Sequence, residues 1–92
     1  MNTVIQRVDY SEHFLKLVKK APLEIKRAFQ KRLLLFIASP FHPLLRNHTL
    51  TGEYAGLRSI NVTGDWRALY SEEEEGIIIV FELLGTHSQL YR

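Results

Sequence analysis

The chain has 92 residues, 46% of them hydrophobic and 11% aromatic, no cysteine and a formal net charge of +2. This length predicts one domain around one core, and the absence of cysteine excludes disulfides, thiolate metal sites and thiol nucleophiles. No apolar run nears the roughly 20 residues of a membrane helix, and MNTVIQRVDY lacks a signal-peptide pattern, so a cytoplasmic protein is expected.

The charge is polarised. Residues 1–50 carry nine Lys/Arg against three Asp/Glu, and residues 51–92 carry three against seven, four of them the run Glu72 to Glu75. Such polarity fits a polyanion or an acidic protein segment as partner, with a solvated helix face as the plain alternative.

TVIQRV, residues 3–8, alternates as a short strand. Asp9 with Glu12 three residues on gives a capping-box pattern, and Phe14, Leu17, Val18 and Ala21 follow at helical spacing. Pro22 occupies the first turn of a second helix whose buried stripe is Ile25, Phe29, Leu33 and Phe36, and Pro40 and Pro43 prevent its continuation. The hairpin of helices has a basic outer side that includes Lys19 and Lys20.

From residue 48 the hydrophobic period changes. Leu57–Val62, Trp66–Ser71 and Gly76–Leu84 read as three strands, joined by the turn Thr63-Gly64 and by the glutamate run, and form an antiparallel meander. The glutamates are expected as a solvated hairpin tip that keeps the adjacent IIIVFELL from aggregating. The predicted architecture is α+β, in the order β-α-α-β-β-β, an antiparallel sheet with the two-helix hairpin packed on one face. Strand parity then turns Arg58, Ile60 and Val62 toward the helices and Ser59 and Asn61 toward the open face, where His87 at the end of the last strand would also project.

The histidines, at positions 13, 42, 48 and 87, have no paired spacing and no clustered carboxylates, so no metal site is expected. The nucleophile-elbow, P-loop and dinucleotide glycine patterns are missing, so no cofactor is expected either. Several polar residues of the C-terminal half are odd as core components: His48, Arg58, Asn61, Asp65, Arg67, Glu82, His87 and Tyr91. They supply what RNA cleavage by the neighbouring 2′-hydroxyl needs: a base, a cation on the phosphate and an acid for the leaving 5′-oxygen. Histidine suits both proton-transfer roles near neutrality.

Each candidate also has a plain reading. His87 can hold a backbone carbonyl, Asp65 can serve the turn, Arg67 can pair with Asp65, His48 can be an ordinary loop residue, and Tyr91 can pack the tail on the sheet. Arg58 and Glu82 are expected to form a partly buried ion pair, Trp66 to pack, and His13 and His42 to lie on the surface.

The segment HTLTGEYAGLRSINVTGDWRALY, followed by FELLGTHSQLY, resembles the RelE/ParE superfamily of bacterial toxins, and within it the YafQ-like mRNA interferase branch. The resemblance rests on the composite H-x-L-x-G-x-Y-x-G-x-R, then Asp65-Trp66, then G-T-H-x-x-L-Y, and it covers residues 48–91. It implies a toxin that enters the ribosomal decoding site, cuts mRNA there and is held inactive by a cognate antitoxin. By position, His48, Asp65 and His87 match the branch's acid/base residues, Arg67 the superfamily's phosphate-contacting arginine, and Tyr91 a terminal aromatic used for stacking or proton transfer. Ser59 and Asn61 stand where the branch has an acidic residue and a histidine, and Leu83 where it has an arginine. Ser59, Asn61, Lys19 and Lys20 are the expected contacts to substrate or ribosomal RNA. Two other readings stay open: a ParE-like gyrase poison that acts without catalysis, and a decayed toxin that only binds its antitoxin.

Overall fold

The computed structural model describes residues 4–91. Strand β1 occupies Arg7–Tyr10, later in the chain than the alternation over residues 3–8 predicts, and Thr3 lies outside the described residues. The shift follows from pairing: Arg7 to Tyr10 register with Ile78 to Phe81, and Tyr10 stacks on Phe14 and Phe81 at 5.8 and 6.0 Å between ring centroids. The helix start moves with it. Helix α1 (Glu12–Lys20) is capped by Ser11, whose Oγ accepts from the Phe14 amide, whereas Asp9 stays in the strand and meets Arg7 Nε at 3.0 Å. Helix α2 (Leu23–Ala38) starts after Pro22, which stands at the cap rather than in the first turn. It buries Ile25, Phe29 and Phe36 as its spacing predicts, with Leu33 partly buried against the same core.

The second half adds β2 (His48–Thr49), β3 (Arg58–Asn61), β4 (Trp66–Glu73), β5 (Ile78–Thr86) and a one-turn helix α3 (His87–Leu90). The sheet runs in the order β1-β5-β4-β3-β2. Its β3–β4–β5 part is the expected antiparallel meander, β2 adds an unpredicted antiparallel edge strand, and β1 runs parallel to β5, so the sheet is mixed. The central place of β5 accounts for its apolar sequence, since a strand with neighbours on both edges and helices on one face has little surface left for water.

Both long helices cover one face of this sheet. Phe14 of α1, Phe29 and Phe36 of α2, and Tyr70 and Phe81 of the sheet meet there at centroid distances between 4.9 and 5.8 Å. Such tilted and edge-on pairs each add about 0.5–1.5 kcal/mol beyond the area they bury.

A β-bulge decides what the other face receives. Tyr70 opposes Phe81 but Leu69 opposes Leu83, which leaves Glu82 as the extra residue. The inserted residue reverses the parity of β5. Ile79 and Phe81 before it and Leu84 after it all belong to the helix-side core, and Leu83 and Gly85 turn to the opposite face. Glu82 is therefore not the partner of Arg58, contrary to the expected ion pair. Arg58 Nε meets Asn47 Oδ1 at 2.9 Å and Glu72 Oε1 at 3.5 Å, and its guanidinium lies 5.2 Å from the Phe41 ring centroid. All four residues of the glutamate run are exposed, as expected of a hairpin tip. Among the described residues no helix is long and apolar enough to cross a membrane.

Candidate active site

Registered partners on neighbouring strands share a face. One row across the helix-free face is therefore His48, Ser59, Leu69 and Leu83, and the next is Asn61, Arg67 and Gly85. Beyond Gly85 the chain folds back over these rows. Thr86 Oγ1 accepts from the Gln89 amide at 3.2 Å while Gln89 Oε1 accepts from the Thr86 amide at 2.9 Å, a complete capping box that opens α3. The pattern T-H-S-Q carries that signal in the sequence, where a bare strand exit at His87 was expected. Gly85 makes the close approach possible, because a Cβ there would stand 3.2 Å from Gln89 Oε1 and 3.3 Å from Leu90 Cγ.

The tail is anchored at both ends. The His87 amide donates to the Asp65 carbonyl at 3.0 Å, which satisfies one of the donors a helix start leaves open. At the far end Leu90 is buried, and its carbonyl accepts from the Tyr54 hydroxyl at 2.7 Å. Chain ends usually fray, but here His87 and Tyr91 stand on a docked turn.

The His87 ring is exposed and lies 4.8 Å from the Tyr91 ring at 40°. Among the described residues the ring makes no hydrogen bond, so the bond that anchors this position belongs to the backbone. Tyr91 in turn meets Tyr54 edge-on at 5.6 Å. Burial raises the Tyr91 phenol above its ordinary pKa, Tyr54 adds to the rise, and nearby Arg67 opposes it. The phenol is thus a stacking surface and a hydrogen-bond donor near neutrality, not a base.

Arg67 does not pair with Asp65. Its Nη1 donates to the carbonyls of Thr63, Gly64 and Trp66, each at 3.1 Å, and so clasps the turn that carries Asp65. Among the described residues its Nε and Nη2 have no protein acceptor. The Asp65 side chain is exposed, and the same turn is further tied by Thr63 Oγ1, which accepts from the Asp65 amide at 3.4 Å and the Trp66 amide at 3.1 Å. Asp65, Arg67, His87 and Tyr91 are in this way brought together at one end of the helix-free face.

His48 is exposed on the edge strand β2, about 10 Å from β4 at two strand spacings. It stands apart from the tail cluster. Its Nδ1 lies 2.7 Å from the Arg46 carbonyl, which can only accept, so Nδ1 donates in this contact and Nε2 points away from it. The substrate contacts expected of Ser59, Lys19 and Lys20 are corrected. Ser59 is on the expected face but only 1% exposed, and its Oγ has no partner, so it is closed to substrate. Lys19 and Lys20 are exposed at the end of α1, in the helix layer on the other side of the sheet from the tail, and do not line this site. Asn61 is half-buried in register with Arg67 and remains at its edge. Among the described residues no three His, Asp or Glu side chains cluster as metal ligands. Tyr54 and Gly85 also belong to the site, and their places within H-x-L-x-G-x-Y-x-G-x-R and G-T-H-x-x-L-Y are the signal that marks them.

A five-stranded sheet with two helices on one face and a docked C-terminal turn on the other is a RelE-like α+β fold. A YoeB/ParE toxin from Agrobacterium tumefaciens has the same fold at a TM-score of 0.72, with 15% identity, covering 89% of this chain and 99% of that one. The chain belongs to the YafQ family of bacterial toxins of type II toxin-antitoxin systems, whose sequence model matches residues 5–92. It is 29% identical over 93 residues to the mRNA interferase toxin YafQ of Escherichia coli K12, covering 96% of this chain and 99% of that protein. The crystal structure of YafQ from E. coli BL21(DE3) superposes at a TM-score of 0.73, with 28% identity, over 95% of this chain and all of that one. YafQ in the E. coli DinJ–YafQ complex gives 0.69 at 28% identity, with the same coverage of each chain.

Proposed function

We propose that this toxin is a ribosome-dependent mRNA interferase that cleaves RNA by attack of the 2′-hydroxyl on the adjacent phosphate. The observation that carries the reading is the docked tail, which sets an exposed imidazole against a phenol beside an arginine at the end of β3–β4. In the proposed reaction a base takes the 2′-hydroxyl proton, the 2′-oxygen bonds to phosphorus, and the bond from phosphorus to the 5′-oxygen breaks. His87 protonates that leaving oxygen, Arg67 holds the phosphate charge through Nε and Nη2, and Tyr91 stacks on a base. The base is His48, through the Nε2 of its neutral ring, or Asp65 on the turn that anchors His87. Neither metal nor organic cofactor enters these steps.

The proposed partners are mRNA and ribosomal RNA in the cytoplasm and a cognate antitoxin, as in the E. coli DinJ–YafQ toxin-antitoxin complex. The basic helix layer favours RNA and an acidic antitoxin segment alike.

Induced expression with primer extension tests the reading. The parent should arrest growth and create new 5′ ends within codons, and His87→Ala should abolish both while still copurifying with the antitoxin. A DNA-damage response with intact messages would establish the gyrase-poison reading instead. A parent that binds its antitoxin but leaves growth unchanged would be the decayed toxin that Ser59, Asn61 and Leu83 permit.

A further inference from the structure

We infer that Tyr54 is a positioning residue, which latches the C-terminal turn to the sheet and thereby holds His87 and Tyr91 beside Arg67. The loop that presents it is shaped for the purpose. Tyr54 ends a single 3₁₀ turn, Gly52–Tyr54, and is flanked by Gly52 at φ +66° and Gly56 at φ +95°. A Cβ at either glycine would have nothing within 4 Å, so the backbone conformation, not crowding, calls for glycine there. Hydrogen bonds from Ala55 N to Gly52 O, Leu57 N to Tyr54 O and Leu50 N to Leu57 O tie the loop to itself. Its half-buried phenol then spans 36 residues of sequence to reach the Leu90 carbonyl, and its ring meets Tyr91 edge-on.

What it reaches has little stability of its own. A single helical turn does not persist in water without tertiary support, and the last carbonyls of a helix lack intrahelical partners. The backbone bond to Asp65 and the capping box secure the start of α3, and Leu90 rests over Gly85. Tyr54 closes the other end. Because the Tyr91 amide donates to the His87 carbonyl at 2.9 Å, movement at Leu90–Tyr91 is transmitted to His87. Tyr54 needs no contact with RNA to act.

The positioning role is tested on its own by hydrogen exchange, and its kinetic half rests on the proposed RNA cleavage. In Tyr54→Phe, which keeps the ring and removes the hydroxyl, amide exchange at His87 and Tyr91 should accelerate about fivefold, the effect of one lost neutral hydrogen bond. Tyr54→Ala should accelerate it by about 30-fold or more as the ring packing is lost too. Amides of β4 and β5 should be unchanged in both. On ribosomes programmed with mRNA, kcat should fall in parallel with tail protection while KM changes less than about twofold. Unchanged exchange in Tyr54→Phe overturns the inference, and that near-isosteric variant carries the test if Tyr54→Ala does not fold. A raised KM at unchanged kcat also overturns it, since Tyr54 would then be an RNA contact. If exchange accelerates as stated but the parent cleaves no mRNA, the positioning role stands and the nuclease reading fails.

Discussion

On the helix-covered face, five aromatic rings from two helices and two strands close on one another and exclude water; on the opposite face, one helical turn covers the sheet and leaves an imidazole and a carboxylate exposed. The same strands serve both. Along β4, Ala68 and Tyr70 belong to the core, and Arg67 between Trp66 and Ala68 faces the site. Stability and chemistry are thus separated by the two-residue repeat of a strand, and a substitution on one side need not disturb the other. Leu69 and Ser59 qualify that division, because they are buried on the site's own face.

The largest expected effect lies on the core face. Phe81→Ala removes the ring that touches Tyr10, Phe14, Phe29, Phe36 and Tyr70. It should cost about 3–5 kcal/mol in denaturant unfolding, a large part of a total of roughly 5–15 kcal/mol. His87→Ala should instead lose about 10²-fold in cleavage rate with the unfolding midpoint nearly unmoved. A destabilised His87→Ala would break the comparison, since the imbalance would then lie in the fold. Gly85→Ala is the intermediate case. Its Cβ would press on Gln89 and Leu90, so it should cost about 1 kcal/mol of stability and about tenfold in rate as the tail lifts.

The smallest effect is a titration. Burial raises the phenol pKa of Tyr10, Tyr70 and Tyr91 above the ordinary 10.0, in Tyr70 against lowering by Asn47 and Arg58. A folded pKa above the unfolded one means that the folded chain keeps its proton longer. Stability from these groups is therefore complete below about pH 10 and falls as pH rises through the folded values. Chemical denaturation from pH 9 to 12 should show that decline, and Tyr70→Phe should flatten it more than Tyr91→Phe, because Tyr70 is the more deeply buried of the two.

The sequence was most legible where period and composition agree. Ile25, Phe29 and Phe36 mark the buried stripe of α2, and the meander strands lie within two residues of where alternation puts them. It was least legible where long-range pairing overrides a local signal. Asp9 looks like a cap, but β5 draws it into a strand and leaves the cap to Ser11 two residues on. The bulge at Glu82 cannot be read from alternation, so the partner of Arg58 was misassigned to it. At the site, Asp65, Arg67, His87 and Tyr91 were legible as residue types and as a resemblance. That the tail doubles back was not, because it depends on a missing Cβ at Gly85 and a hydroxyl 36 residues upstream of Leu90.

The parallel pairing of β1 with β5 also constrains how the molecule is made. Ser11 bonds to the backbone of Glu82 across 71 residues, and the pairing on either side of it is as distant. A nascent chain that stops short of residue 78 has both helices and strands β2 to β4 but lacks the central strand that joins β1 to them, and a loop that long is closed late and slowly. The sheet, and with it the face that carries Arg67 and His87, is thereby completed only after both helices and the strands before β5 have been made.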